Sequence, residues 1–159
     1  MRPEDNHIFD SLEPWQAMGL CIEREAGGEP REGKIAVGTV ILERVDHRKW
    51  DGQTIREVVF LPWQFSWTMP EAGEVYYKRS VYMAINWTQE YVCNPVLKTC
   101  CDVAEDMISG EVPRDPDLAA VHCCQYLNPV VAWKTRDRWI KAGMQSVKVI
   151  ARHEFFKEA

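Results

Sequence analysis

The segment Glu25-Ala26-Gly27-Gly28-Glu29-Pro30 restricts the fold more than any other stretch, because one helical pattern has to stop and another begin inside it. Upstream, Ala17, Met18, Leu20, Cys21 and Ile22 recur at helical spacing; downstream, Ile35, Ala36, Val37, Val40, Ile41 and Val45 cluster on one side of a second helix that Lys34, Glu43 and Arg44 largely avoid. Glycine enters the left-handed conformation that ends helices, and Pro30 disfavours helix at Glu29 while suiting a first helical turn. The pattern therefore predicts helices over about 13–25 and 30–46, with Glu25 in the last turn of one and Glu29 at the start of the other. Helix dipoles disfavour a negative charge at a C-terminus and favour it at an N-terminus, so the two carboxyls are pushed apart in acidity. If apolar neighbours also desolvate Glu25, it stays protonated near neutral pH, as a general acid must. A helix-capping Glu29 beside a solvated Glu25 has the same spacing, and the residues alone leave both readings open.

A chain of 159 residues suits one domain, 1–159, with 1–11 as a polar lead-in, and is long enough to bury about two-thirds of its surface. Its 46% apolar and 27% charged residues are those of a soluble globular protein, which excludes a disordered chain. The net charge of −5 argues against nucleic acid and against an anionic membrane surface as partners. The start, Met1 to His7, has no apolar run, and nothing approaches the roughly 18 apolar residues of a membrane span. The expectation is a monomer made in the cytoplasm without a signal peptide; a target outside that compartment needs another route out.

Further along, Asp51 or Thr54 opens a short helix that Pro62 stops. Trp63-Gln64-Phe65-Ser66-Trp67 then forms a loop of aromatic and amide groups, the kind of segment where binding groups concentrate, although Trp63, Phe65 and Trp67 can equally plug the domain. A third helix is predicted over 74–91, with Val75, Tyr76, Val81, Tyr82, Ala84, Ile85 and Trp87 as its inner face, and a fourth over 98–109, ended by Gly110. A short helix with Trp133 and Trp139 falls in 131–141, and one short strand in 146–156. The six cysteines, Cys21, Cys93, Cys100, Cys101, Cys123 and Cys124, include two vicinal pairs which, with His122, invite a zinc reading. Vicinal cysteines do not readily converge on one tetrahedral ion, so the expectation is buried reduced thiols, no metal and no cofactor, with a local Cys93–Cys100 disulfide as the alternative.

Taken together, four ordered elements resemble the SleB-type cell wall hydrolase family, which includes spore-cortex lytic enzymes and phage lysins. They are Glu25 to Pro30 with Glu32 to Val45; Gln64-Phe65-Ser66; His122 through Tyr126-Leu127-Asn128-Pro129 to Trp133; and Val149-Ile150-Ala151-Arg152-His153-Glu154-Phe155-Phe156. The chain departs from the family pattern at Glu43, where Asn is usual, at Cys123 and Cys124, where Tyr and a second His are frequent, and at Ala151, where Gly is usual. The resemblance implies an α+β, mainly α, lysozyme-like fold with a small β element. It implies a lytic transglycosylase that cleaves the β-1,4 bond between N-acetylmuramic acid and N-acetylglucosamine in peptidoglycan, leaving 1,6-anhydro ends. Glu25 falls on the family's catalytic glutamate. Glu29, Gln64, Phe65, Ser66, His122, Tyr126 and Trp133 are implied to contact substrate, with Gln64 on an N-acetyl group and Phe65, Tyr126 and Trp133 on sugar faces; His153 is read as structural. A phage endolysin released through a holin or its equivalent fits the short layout. The rival readings are a hydrolytic muramidase using Glu25 and Glu29 as a pair, and a non-catalytic wall-binding or zinc-binding module.

Overall fold

The computed structural model describes residues 7–48, 52–62 and 64–158; the predicted contribution of Trp63 lies outside them. Eight α-helices are described: α1 (Pro14–Ala26), α2 (Arg31–His47), α3 (Ile55–Phe60), α4 (Pro70–Ile85), α5 (Trp87–Cys93), α6 (Pro95–Ser109), α7 (Pro116–Ala120) and α8 (Trp133–Lys141). A 3₁₀ turn covers Ser66–Thr68, and three strands, β1 (Gln125–Leu127), β2 (Gln145–Ile150) and β3 (His153–Lys157), form an antiparallel sheet in the order β1-β3-β2. The architecture is mainly α with a small β element, as the sequence implied.

Helix α1 is the centre of the core. Pro14 opens it, the Glu13 amide donates to Gln16 Oε1 at 2.7 Å, and Ala17, Met18, Leu20, Cys21 and Ile22 are fully buried. It packs on α2, α3 and most closely on α6. At Gly19 a Cβ would lie 2.5 Å from Cys101 Sγ and 2.8 Å from Cys101 Cα, so the absence of a side chain sets the helix spacing. The turn after α1 differs from the left-handed glycine stop. Gly27 is right-handed (φ −56°, ψ −40°), and its bareness serves proximity, since a Cβ there would meet Val96 Cγ1 at 3.3 Å.

Helix α2 is buried nearly all round rather than on one side, because it runs between two apolar clusters. Val37 and Ile41 join the main core, whereas Ala36 and Val40 pack with Leu118 of α7, Cys123 ahead of β1 and Phe155 of β3. Lys34, Glu43 and Arg44 are consequently buried, and each has a specific partner, as charges in an interior require.

Two expectations are corrected here. The long helix over 74–91 is two helices, broken at Asn86 (φ −103°, ψ 33°), and the first of them starts earlier, at Pro70, with a kink at Gly73. Its buried seam is Tyr77, Ser80, Met83 and Ala84, leaving Val75, Tyr76, Tyr82 and Ile85 exposed; two apolar stripes competed, and only packing selects between them. The single terminal strand is a hairpin. Ile150 pairs with His153 across a turn in which Ala151 takes a positive φ of 49°, a conformation that glycine adopts at less cost. All six cysteines are free thiols, five of them buried, with burial pushing Cys123 up to about 11 and Cys100 and Cys124 up to about 12.

Candidate active site

The end of α1, the loop before α4, the strand β1 and the helix α8 enclose a cleft of about 640 Å³. Glu25 reaches it from the last turn of α1. Gln64, Phe65, Ser66 and Met69 line it from the segment before α4, Gln125, Tyr126, Leu127 and Asn128 from β1 and the residue after it, Thr135 and Trp139 from α8, and Arg44 and His153 complete the lining.

The half-buried Glu25 carboxylate accepts a hydrogen bond from Tyr126 Oη at 2.9 Å. Burial pushes its carboxyl above the ordinary range. The Tyr126 hydrogen bond and the side chains of His153, Arg44 and Arg24 pull the other way without cancelling that effect. Burial, with the adjacent Glu25, pushes the Tyr126 hydroxyl well above its usual value, so it remains a donor. The tyrosine ring is fixed by an edge contact to His153 (centroids 4.9 Å apart) and by Phe155 (5.4 Å). Arg44 sits under the Phe65 ring at 5.2 Å while its Nε donates to the Cys124 carbonyl at 2.9 Å, tying α2 to the segment that enters β1.

Of the residues singled out in the sequence, Glu25, Gln64, Phe65, Ser66 and Tyr126 converge on this cleft, and Glu29, His122 and Trp133 do not. Glu29 is buried behind the turn, with Oε1 3.1 Å from His153 Nδ1, out of hydrogen-bond alignment, and 3.6 Å from Arg152 Nε. The carboxylate fits there because Gly33 has no side chain: a Cβ would meet Glu29 Oε2 at 2.5 Å. Glu29 thus pins the terminal hairpin and reaches the cleft only through His153. Trp133 is 60% exposed on the outer side of α8, beside a shallow depression with Pro129, Arg136 and Glu154. Six residues on, Trp139 turns to the cleft and packs edge-on against Phe156 at 5.5 Å. His122 faces Glu43, with Nδ1 3.0 Å from Oε2.

Arg44, Asn128 and Trp139 are among the cleft residues to which sequence reasoning gave no site role. The signal for Arg44 was an arginine in the interior of an apolar helix; for Trp139 it was helical register, which separates it from Trp133. Another depression of about 700 Å³, lined by His7, Asp10, Arg56 and Phe60, holds exposed ion pairs and no desolvated acid.

A helical core, a small antiparallel sheet and a cleft between them with one carboxyl at a helix end define a lysozyme-like domain. The family model for Cell Wall Hydrolase matches residues 28–156, and the chain belongs to that family: it is an enzyme that acts on peptidoglycan. Among solved structures, the catalytic domain of the germination-specific lytic transglycosylase SleB from Bacillus anthracis is similar at 24% identity and a TM-score of 0.60, over 93% of this chain and 98% of that one. No curated protein sequence matches the chain.

Proposed function

We propose that the protein is a lytic transglycosylase that cleaves the β-1,4 bond between N-acetylmuramic acid and N-acetylglucosamine. The observation that carries this reading is that Glu25 is the only carboxyl lining the cleft among the described residues. Glycosidases that hydrolyse use two carboxyls on either side of the bond, about 5–5.5 Å apart when they retain configuration and about 6.5–9.5 Å apart when they invert it. The acid across the turn, Glu29, is buried behind it against His153 and Arg152.

One carboxyl suffices when the nucleophile comes from the substrate. Protonated Glu25 gives its proton to the glycosidic oxygen as the bond to the muramic C1 breaks, and N-acetylglucosamine leaves as the alcohol. The resulting Glu25 carboxylate then takes the proton of the muramic 6-hydroxyl as that oxygen bonds to C1. The ring closes as a 1,6-anhydro sugar and Glu25 is protonated again, with no water consumed. Raised proton affinity suits the first half of the cycle, and the Tyr126 hydrogen bond steadies the carboxylate between halves. Gln64 and Asn128 offer amide groups for N-acetyl substituents, and Trp139 offers an apolar face; Phe65, only 3% exposed with Arg44 against its ring, backs the cleft instead of presenting a face to sugar as the sequence implied. The similarity to a solved lytic transglycosylase domain is in keeping with this chemistry.

Purified peptidoglycan digested with the enzyme and resolved by mass spectrometry tests the proposal. Muropeptides ending in anhydro-muramic acid are the expected products; reducing ends carrying one more water would establish a hydrolytic muramidase instead. A role as a phage endolysin reaching the wall through a membrane pore belongs to the same proposal. Expression inside a Gram-negative cell should lyse it only when a pore-forming protein is co-expressed; lysis without the pore, or none with it, would refute that role.

A further inference from the structure

We infer that Glu43, His47 and His122 form a binding site for a divalent transition metal of the zinc class, away from the cleft. Glu43 and His47 lie one turn apart on α2, and His122 comes from the turn after α7. One ligand atom from each of the three lies within 4.8 Å of the other two. His122 Nδ1 is 3.0 Å and His47 Nε2 3.4 Å from the same oxygen, Glu43 Oε2. Tetrahedral zinc with bonds of about 2.0–2.1 Å separates its ligand atoms by about 3.3 Å, which the two spacings to Glu43 Oε2 already approach.

The surroundings favour a cation over hydrogen bonds alone. Glu43 is 3% exposed, and its other oxygen accepts from Arg114 at 2.7 Å, which orients the carboxylate and leaves Oε2 facing the two imidazoles. Both histidines are open to water, 41% and 59% exposed, and could hydrate separately; instead their rings lie 3.8 Å apart between centroids, tilted by 35°. His122 also holds a positive φ of 50°, uncommon for a residue with a side chain. Two imidazoles and one carboxylate, with a remaining position open to solvent, form a ligand set that suits zinc and its neighbours. The adjacent thiols are otherwise engaged: Cys123 Sγ donates to the Phe156 carbonyl at 3.1 Å and Cys124 Sγ to the His122 carbonyl at 3.2 Å.

The consequence for the fold is a clamp. A metal held here ties the last turn of α2 to the segment leading into β1, next to the Arg44 contact with Cys124 and four residues before Tyr126.

Titration of Zn²⁺ into the full chain, stripped beforehand with a chelator, tests the site by calorimetry. The expected result is one equivalent bound, with the melting temperature raised by about 5–10 °C at a hundredfold excess over Kd. His47→Gln and His122→Asn should each weaken binding by at least about tenfold; asparagine tolerates the positive φ at position 122. Co²⁺ bound to the unmutated chain gives a reading that does not depend on variants folding: d–d bands without a thiolate charge-transfer band are expected. No uptake, unchanged affinity in either variant, or a thiolate band would each overturn the assignment.

Discussion

Replacing Glu25 by glutamine separates the chemistry of the cleft from its architecture. Glutamine has the same shape, and its amide oxygen can still accept the hydrogen bond that Tyr126 Oη gives Glu25 at 2.9 Å, so the cleft should keep its form while losing the proton of its one carboxyl among the described residues. General acid–base groups contribute about 10²–10⁴ in rate, or about 3–5 kcal/mol of barrier at roughly 1.36 kcal/mol per decade. In turbidity clearance of a peptidoglycan suspension, Glu25→Gln should therefore fall by at least about a hundredfold. Stability should move the other way. Burial makes Glu25 hold its proton more tightly in the folded than in the unfolded chain. The folded state gains from this below the unfolded carboxyl value of about 4.3 and loses that gain as pH rises through the higher folded value. At pH 8 the variant should melt at or above the wild-type temperature, and near pH 4 the two should coincide. A variant that keeps more than about a tenth of the wild-type rate, or one that is inactive because it melts well below wild type at pH 8, would refute the reasoning.

Three further outcomes follow from particular contacts. Tyr126→Phe removes a donor that holds the Glu25 proton affinity down, so the alkaline limb of the pH–rate profile should shift to higher pH; a shift to lower pH would contradict the assignment. Gly19→Ala drives a Cβ to 2.5 Å from Cys101 Sγ and 2.8 Å from Cys101 Cα, and urea unfolding should show a loss of about 1–3 kcal/mol. Trp139→Ala should raise the substrate concentration needed for half-maximal lysis, whereas Trp133→Ala, on the outer side of the same helix, should leave it within about twofold, since a lone exposed side chain contributes little.

The sequence was most readable where one local rule was enough. The apolar spacing of α1 and the Gly-Gly-Glu-Pro junction place Glu25 at a helix end, and the family-like order of motifs brings Gln64, Phe65, Ser66 and Tyr126 into one cleft. It was least readable where two elements had to meet. Nothing local to α2 says that a sheet covers its far side, so Lys34, Glu43 and Arg44 read as solvent-facing charges when they are buried and paired. Helix α4 offers two apolar stripes, and the one in contact includes Ser80. Trp133 and Trp139 have the same composition signal, and only the docking of α8 sends one to the cleft and the other to solvent.

The two glutamates of the turn show how one short segment can divide the work. Glu29 is buried and Glu25 half-buried at the edge of the cleft, and their surroundings differ in sign and contact. Glu29 lies against His153 and Arg152, partners that suit a charged carboxylate and hold the hairpin in place. Glu25 has a hydroxyl as its direct partner, and its cationic neighbours do not offset the cost of burying a charge. His153 stands between them, facing Glu29 on one side and the ring of Tyr126 on the other. Removing Glu29 should therefore act on Glu25 indirectly, by freeing His153 and loosening Tyr126. A mild loss in Glu29→Gln, with anhydro products retained, fits a positioning role; an appearance of reducing ends on restoring Glu29 would place that residue in the chemistry and would end the single-carboxyl account.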